Sequence, residues 1–130
     1  MTTDLKTTSL ETSRLLRKRR FNEPVLAYYD TDGQLCQTAD MPGIRMNNPT
    51  HDKDARHQVY AAPTLPQAQQ WLREKKRYDV LVDRDYFYGK VGKYYAKIIR
   101  LKDGAMSETG KYRHYDQALE AGLLKALRTM

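Results

Sequence analysis

From Tyr78 to Tyr88 the chain alternates with a period of two. Tyr78, Val80, Val82, Tyr86 and Tyr88 fall on one side, and Asp79, Asp83 and Asp85 fall on the other. That period belongs to a half-buried β-strand and not to a helix. Gly89-Lys90-Val91-Gly92 reads as a turn, and the segment to Leu101 returns as the partner strand. Closing the hairpin there sets a register in which Tyr88 faces Lys93, Tyr86 faces Tyr95, Val82 faces Ile99 and Val80 faces Leu101. Apolar residues then oppose apolar residues, as a core face requires, and Asp79 meets Lys102 on the outer face.

The flanking segments carry helical signals. Thr8-Ser9-Leu10-Glu11 fits a capping box with Thr8 as N-cap, and the helix it opens is expected to reach about Arg20 before Pro24 stops it. Val25–Tyr29 and Gln34–Thr38 read as strands around the turn residues Asp30-Thr31-Asp32-Gly33. Residues 39–57 read as a long loop marked by Met41-Pro42-Gly43 and Asn47-Asn48-Pro49, with a short strand over Gln58–Ala61 after it. Thr64-Leu65-Pro66-Gln67 is a second capping box. Its helix, to about Lys76, places Leu65, Ala68, Trp71 and Leu72 on one arc and ends in a basic turn, Arg73 to Arg77. Asp103–Gly110 reads as a loop. Tyr115–Met130 reads as a last helix with Tyr115, Leu119, Gly122, Leu123, Ala126, Leu127 and Met130 on one arc and Leu124 on the polar side.

The expected fold is therefore α+β, in the order α-β-β-(β)-α-β-β-α, with an antiparallel sheet of four to five strands against three helices. One domain over residues 1–130 is expected, with residues 1–8 flexible. No run of apolar residues is long enough to cross a membrane as a helix, and the first nine residues lack the apolar centre of a secretory signal. Cys36 is the only cysteine, so no intramolecular disulfide or cysteine-built zinc site forms; a reducing cytoplasm is the expected compartment.

The formal charge is +7, and the excess is concentrated between Gln58 and Lys102, which hold ten bases and four acids. A basic surplus favours acidic partners, nucleic acid first, although moderate charge also serves solubility. In the register above, Arg84 stands opposite Lys97 on the apolar face, flanked by Tyr86 and Tyr95. Like charges directly opposite destabilise a sheet. Either an acidic side chain from another element or an anionic ligand compensates them, the ligand with a phosphate gripped and a base stacked, or both heads reach past the core into water. Arg14, Arg17 and Lys18 share one side of the first helix and form either a phosphate-contacting face or a solvated one. Phe87 and Tyr94, paired on the outer hairpin face, together with Leu124 suggest a partner interface, in a chain with ten tyrosines.

His51-Asp52-Lys53-Asp54 and His57 have metal-ligand chemistry but no metal-site spacing. Asp83 and Asp85 alone do not make a two-metal site. Cys36 has no adjacent base to activate it. No G-x-S-x-G, H-E-x-x-H or glycine-rich phosphate loop occurs. Neither catalysis nor a cofactor or metal is expected.

Ser9-Leu10-Glu11-Thr12 with Leu15-Leu16, Phe21-Asn22-Glu23-Pro24 and Ala27-Tyr28-Tyr29 resemble the opening of small proteins encoded by Bacteroides-type phages, prophages and mobile elements. Ala62-Pro63-Thr64 with Trp71-Leu72-Arg73-Glu74, and Tyr115 with Ala118-Leu119-Glu120-Ala121 and Leu124, resemble that group's middle and end. The resemblance covers most of the chain. It implies a cytoplasmic accessory protein of phage or mobile-element type and carries no functional residues with it. Two binding roles follow from these readings, contact with nucleic acid through the basic helix and hairpin, or a protein adaptor or inhibitor acting through an aromatic surface. An enzyme ranks third.

Overall fold

Ser9, one residue later than expected, caps the first helix: its hydroxyl accepts the Thr12 N–H at 3.2 Å, and α1 runs Leu10–Lys18. Thr8 is fully buried, shares a 2.8 Å hydrogen bond with the Ser13 hydroxyl and donates its N–H to the Pro63 carbonyl. Thr7, beside it, bridges to Thr64. The expected flexible lead-in is thus anchored at its last two residues. In the computed structural model, residues 6–37, 59–87 and 90–130 are described, Phe87 by its main chain only. They belong to two compact units, residues 1–64 and 65–130.

In the first unit, α1 closes through two bonds, from the Arg20 N–H to the Arg17 carbonyl and from the Phe21 N–H to the Leu16 carbonyl. This is a Schellman closure, and it requires a left-handed residue at its centre, here Arg20 at φ 71°. Leu16 and Phe21, whose positions meet in such a closure, are both 0% exposed. β1 (Ala27–Tyr29) and β2 (Leu35–Gln37) pair antiparallel. The Asp30 carboxylate organises their turn by accepting the N–H groups of Asp32 and Gln34 at 2.9 Å, and Gly33 supplies a φ of 80°. β3 (Tyr60–Ala61) pairs with the other edge of β1, giving the order β2-β1-β3. The loop expected over 39–57 lies outside the described residues.

In the second unit, α2 (Leu65–Trp71) buries Leu65, Ala68 and Trp71 and passes into a π-helical turn, Leu72–Lys76. The turn closes when the Arg77 N–H reaches the Leu72 carbonyl, with Arg77 left-handed at φ 61°, ψ 41°. β4 (Tyr78–Phe87), β5 (Lys90–Arg100) and β6 (Met106–Glu108) form an antiparallel sheet in that order. α3 (Tyr115–Thr129) lies on one face and buries Leu119, Gly122, Leu123, Ala126 and Leu127. Among the described residues the fold is α+β with three α-helices, and six strands in two sheets of three stand in place of a single sheet of four or five. The added strand is β6, three residues between Gly104 and Gly110, too short to show a period.

The hairpin register differs from the expected one by three residues. Val80 faces Ile98, Val82 faces Ala96, Leu81 faces Lys97 and Arg84 faces Tyr94. An odd shift turns β5 over, so Ile98 and Ala96 are buried with Val80, while Tyr95, Lys97 and Ile99 move to the other face. The cause is Gly92. It is not a turn residue but stands within β5 at a bulge, where Gly92 and Lys93 together oppose Asp85. A Cβ on Gly92 would lie 2.8 Å from that of Asp85. The strands close with Phe87 opposite Lys90. Tyr88 and Gly89, and so the Tyr88–Lys93 pairing, lie outside the described residues.

Candidate functional site

Arg84 and Lys97 do not meet. The corrected register sends them to opposite faces of the sheet, and each finds a different tyrosine. On the helix-covered face, Arg84 lies just beyond the packed stretch, with its guanidinium carbon 4.4 Å from the centre of the Tyr94 ring and its Nε 3.3 Å from the Gly92 carbonyl. The Tyr94 ring meets Tyr115, the first residue of α3, edge to face at 5.8 Å and 81°. Two main-chain bonds between Tyr94 and Tyr112, 2.8 and 2.7 Å, hold the approach to α3 against β5 and so set the position of Tyr115. Tyr115 is 46% exposed and Tyr86, two residues on from Arg84, is 70% exposed. Lys90, Lys93 and Arg113 are exposed as well. The result is a cation–aromatic cluster open to solvent, with the two rings edge to face and further cations on the segments around it.

The opposite face carries Lys97 and Tyr95. Lys97 pairs with Asp83 at 3.2 Å, and Lys111 pairs with Asp85 at 3.0 Å while sitting 3.8 Å from the centre of the Tyr95 ring. The Asp83 carboxyl is held below its ordinary range, first by the Arg84 main-chain N–H and then by Lys97, and Asp83 in turn raises Lys97. Each carboxylate that resembled half of a metal pair is thus occupied by an ammonium group. Among the described residues no three His, Cys, Asp or Glu side chains gather to hold a metal. The His51–His57 segment lies outside them.

On α1, the basic side divides. Arg14 and Arg17 both stand over the Tyr60 ring, at 5.6 and 5.8 Å, and Arg17 Nη1 donates to the Val59 carbonyl at 2.7 Å. Burial lowers the Arg17 pKa. Arg17 therefore ties the helix to the strand beside it, and Arg14 and Lys18 are the exposed cations of that side.

The expected outer-face pair of Phe87 and Tyr94 does not form. Phe87 stands opposite Lys90, its side chain outside the described residues, and Tyr94 faces α3. Leu124 is half-buried in a shallow groove with Tyr112 and Lys125. Cys36 lies 3.6 Å from the Asp30 carboxylate; burial first, and then that charge, raise its pKa, so the thiol stays protonated.

Helical spacing assigns Tyr115 to the core arc of α3, yet it is 46% exposed, and no local pattern marks Lys111. Only the Tyr94–Tyr112 bridge, a contact between distant segments, brings both beside β5.

The chain was compared with known protein families, curated proteins and solved structures, and nothing matched in any of the three.

Proposed function

We propose that the protein is a non-catalytic accessory binding protein, of the phage or mobile-element kind its sequence resembles, that holds single-stranded nucleic acid on the Arg84–Tyr94–Tyr115 stack. The observation that carries this reading is the exposed guanidinium lying 4.4 Å over Tyr94. An exposed guanidinium can stack on an unpaired base, and such stacking contributes about 1–3 kcal/mol per base. A duplex hides its base faces from such a contact. Lys90, Lys93 and Arg113 supply charge for the sugar–phosphate chain, which makes binding fall with salt. The setting we infer is the cytoplasm, where Cys36 remains a thiol.

The test is anisotropy of labelled single-stranded and duplex oligonucleotides over a salt series. Arg84→Lys keeps the charge and removes the plane. Binding of single strands that drops about tenfold in Arg84→Lys and in Tyr115→Ala is the expected result. Wild-type affinity in Arg84→Lys would refute the stack as the contact. The basic face of α1 is a poor test surface, because reversing Arg17 also breaks its bond to Val59.

A second reading, a protein adaptor or inhibitor, is favoured by one observation. Leu81 and Met106 are 39% and 59% exposed on the face of the second sheet opposite α3, and the register sets Met106 beside Ile99. Retention of one protein through that face in high salt, lost in Met106→Glu, would favour this reading over the first.

A further inference from the structure

At the other end of the second unit's sheet, where the π-helical turn gives way to β4 and β5 ends, Lys76, Arg77, Tyr78, Arg100, Leu101 and Lys102 line an open cleft of about 470 Å³. We infer that this cleft is a phosphoryl-group site of nucleotide size.

The lining is four cations, a tyrosine and a leucine, with no carboxylate among them. The two acids next to these residues in sequence are already held, Asp79 by Arg73 at 2.9 Å and Asp103 by Arg100 through Nε and Nη2 at 2.9 and 2.5 Å. Lys76, Arg77 and Lys102 have no carboxylate partner among the described residues, and Lys76 Nζ lies 5.5 Å from the Trp71 ring centre. The volume is that of a small-ligand site, typically about 300–1,000 Å³.

The negative end of the preceding helix explains basic residues in its last turn, Arg73, Lys75 and Lys76. It does not explain Arg100 and Lys102, which come from β5 and the turn beyond it. Nor does it explain Arg77. The main chain there is fastened on both sides, its N–H to the Leu72 carbonyl and its carbonyl to the Leu101 N–H at 2.9 Å. The left-handed conformation is thus imposed by the fold, and glycine takes it without steric cost. An arginine carried there against backbone preference adds a cationic side chain to the residues that line the cleft, and a guanidinium fork suits phosphoryl oxygens.

This site stands on observations separate from the Arg84 stack. The phosphoryl group has two sources, a free nucleotide or the end of a strand. The test titrates the full chain, followed by amide chemical shifts, with ATP, adenosine, and a short oligonucleotide bearing a 5′-phosphate or a 5′-hydroxyl. ATP, or the 5′-phosphorylated strand alone, is expected to move the Arg77, Leu101 and Lys102 amides, while adenosine does not. The first outcome identifies a free nucleotide and the second a strand end. Arg77→Gly is expected to weaken that ligand at least fivefold while raising the melting temperature, a pairing that a purely structural arginine would not give. Lys102→Glu is expected to weaken it as well. The amides of Arg77, Leu101 and Lys102 report the cleft and those of Arg84 and Tyr94 report the stack, so failure of the cleft and failure of the stack are read apart. No shift with ATP or the phosphorylated strand, or unchanged affinity in Arg77→Gly, would overturn the site.

Discussion

Replacing Gly122 by alanine sets two effects of opposite sign against each other. In a helix interior alanine is favoured over glycine by about 1 kcal/mol. Gly122, however, sits where α3 meets the sheet, and a Cβ built there lies 2.6 Å from the Ala96 Cβ and 2.7 Å from Val80 Cγ1. Carbon atoms pack at about 3.5–4.0 Å, so both contacts are short by roughly 1 Å. Neither neighbour can yield by turning a bond. The Ala96 Cβ is fixed to the backbone, and Val80 is β-branched and 0% exposed. The helix must lift, loosening the packing of Leu119 and Leu123 on either side. Overpacking of this kind costs about 1–3 kcal/mol, and two rigid clashes place it at the upper end. Subtracting the propensity gain leaves a net destabilisation of about 2 kcal/mol. Urea unfolding reads this directly, because the single tryptophan, Trp71, is 5% exposed in the same unit. Gly110→Ala, where a Cβ meets nothing within 4 Å, is the control. A Gly122→Ala midpoint at or above that of the wild type would show that the helix does not approach the sheet this closely.

Two further outcomes follow from the backbone and from the charges. Arg20→Gly is expected to stabilise the first unit by about 1 kcal/mol, because the Schellman closure holds position 20 left-handed whatever its side chain, and thermal unfolding that shows no gain would refute this. The Asp103 carboxyl, held chiefly by Arg100 and then by the Ala105 N–H, titrates at about 2 against an ordinary 3.8. A folded-state value below the unfolded one stabilises the fold fully above about pH 4, and this contribution is lost as the pH falls towards 2. NMR titration of the side-chain carboxyl checks the midpoint, and an ordinary value would mean that the Arg100 contact does not persist in solution.

Helices were the most legible elements. The arc Leu65, Ala68, Trp71, Leu72 is buried as its spacing requires, and so are Leu119, Gly122, Leu123, Ala126 and Leu127 of the last helix, whereas the ends of that arc are not, with Tyr115 46% exposed and Met130 half-buried. Helical neighbours lie three or four residues apart, so local spacing suffices to find the buried side. The first cap was off by one residue because Thr8 and Ser9 are both good capping types, and only the burial of Thr8 against Ser13 separates them. The tyrosines and cations of the candidate site were legible as residue types but not as neighbours. Arg84 stands opposite Lys97 in the register read from sequence and over Tyr94 in the fold.

Alternation by itself determined that residues 78–87 form a strand with valines 80 and 82 on one side, since the two faces of a strand follow from the backbone pleat. Which residues stand across from them was decided elsewhere. A glycine accommodating a bulge looks the same in one dimension as a glycine making a turn, and the close seat of α3 on Val80 and Ala96 appears only when segments 42 and 26 residues apart are brought together. Because side chains alternate, that choice of register sent Lys97 to one face and left Arg84 on the other.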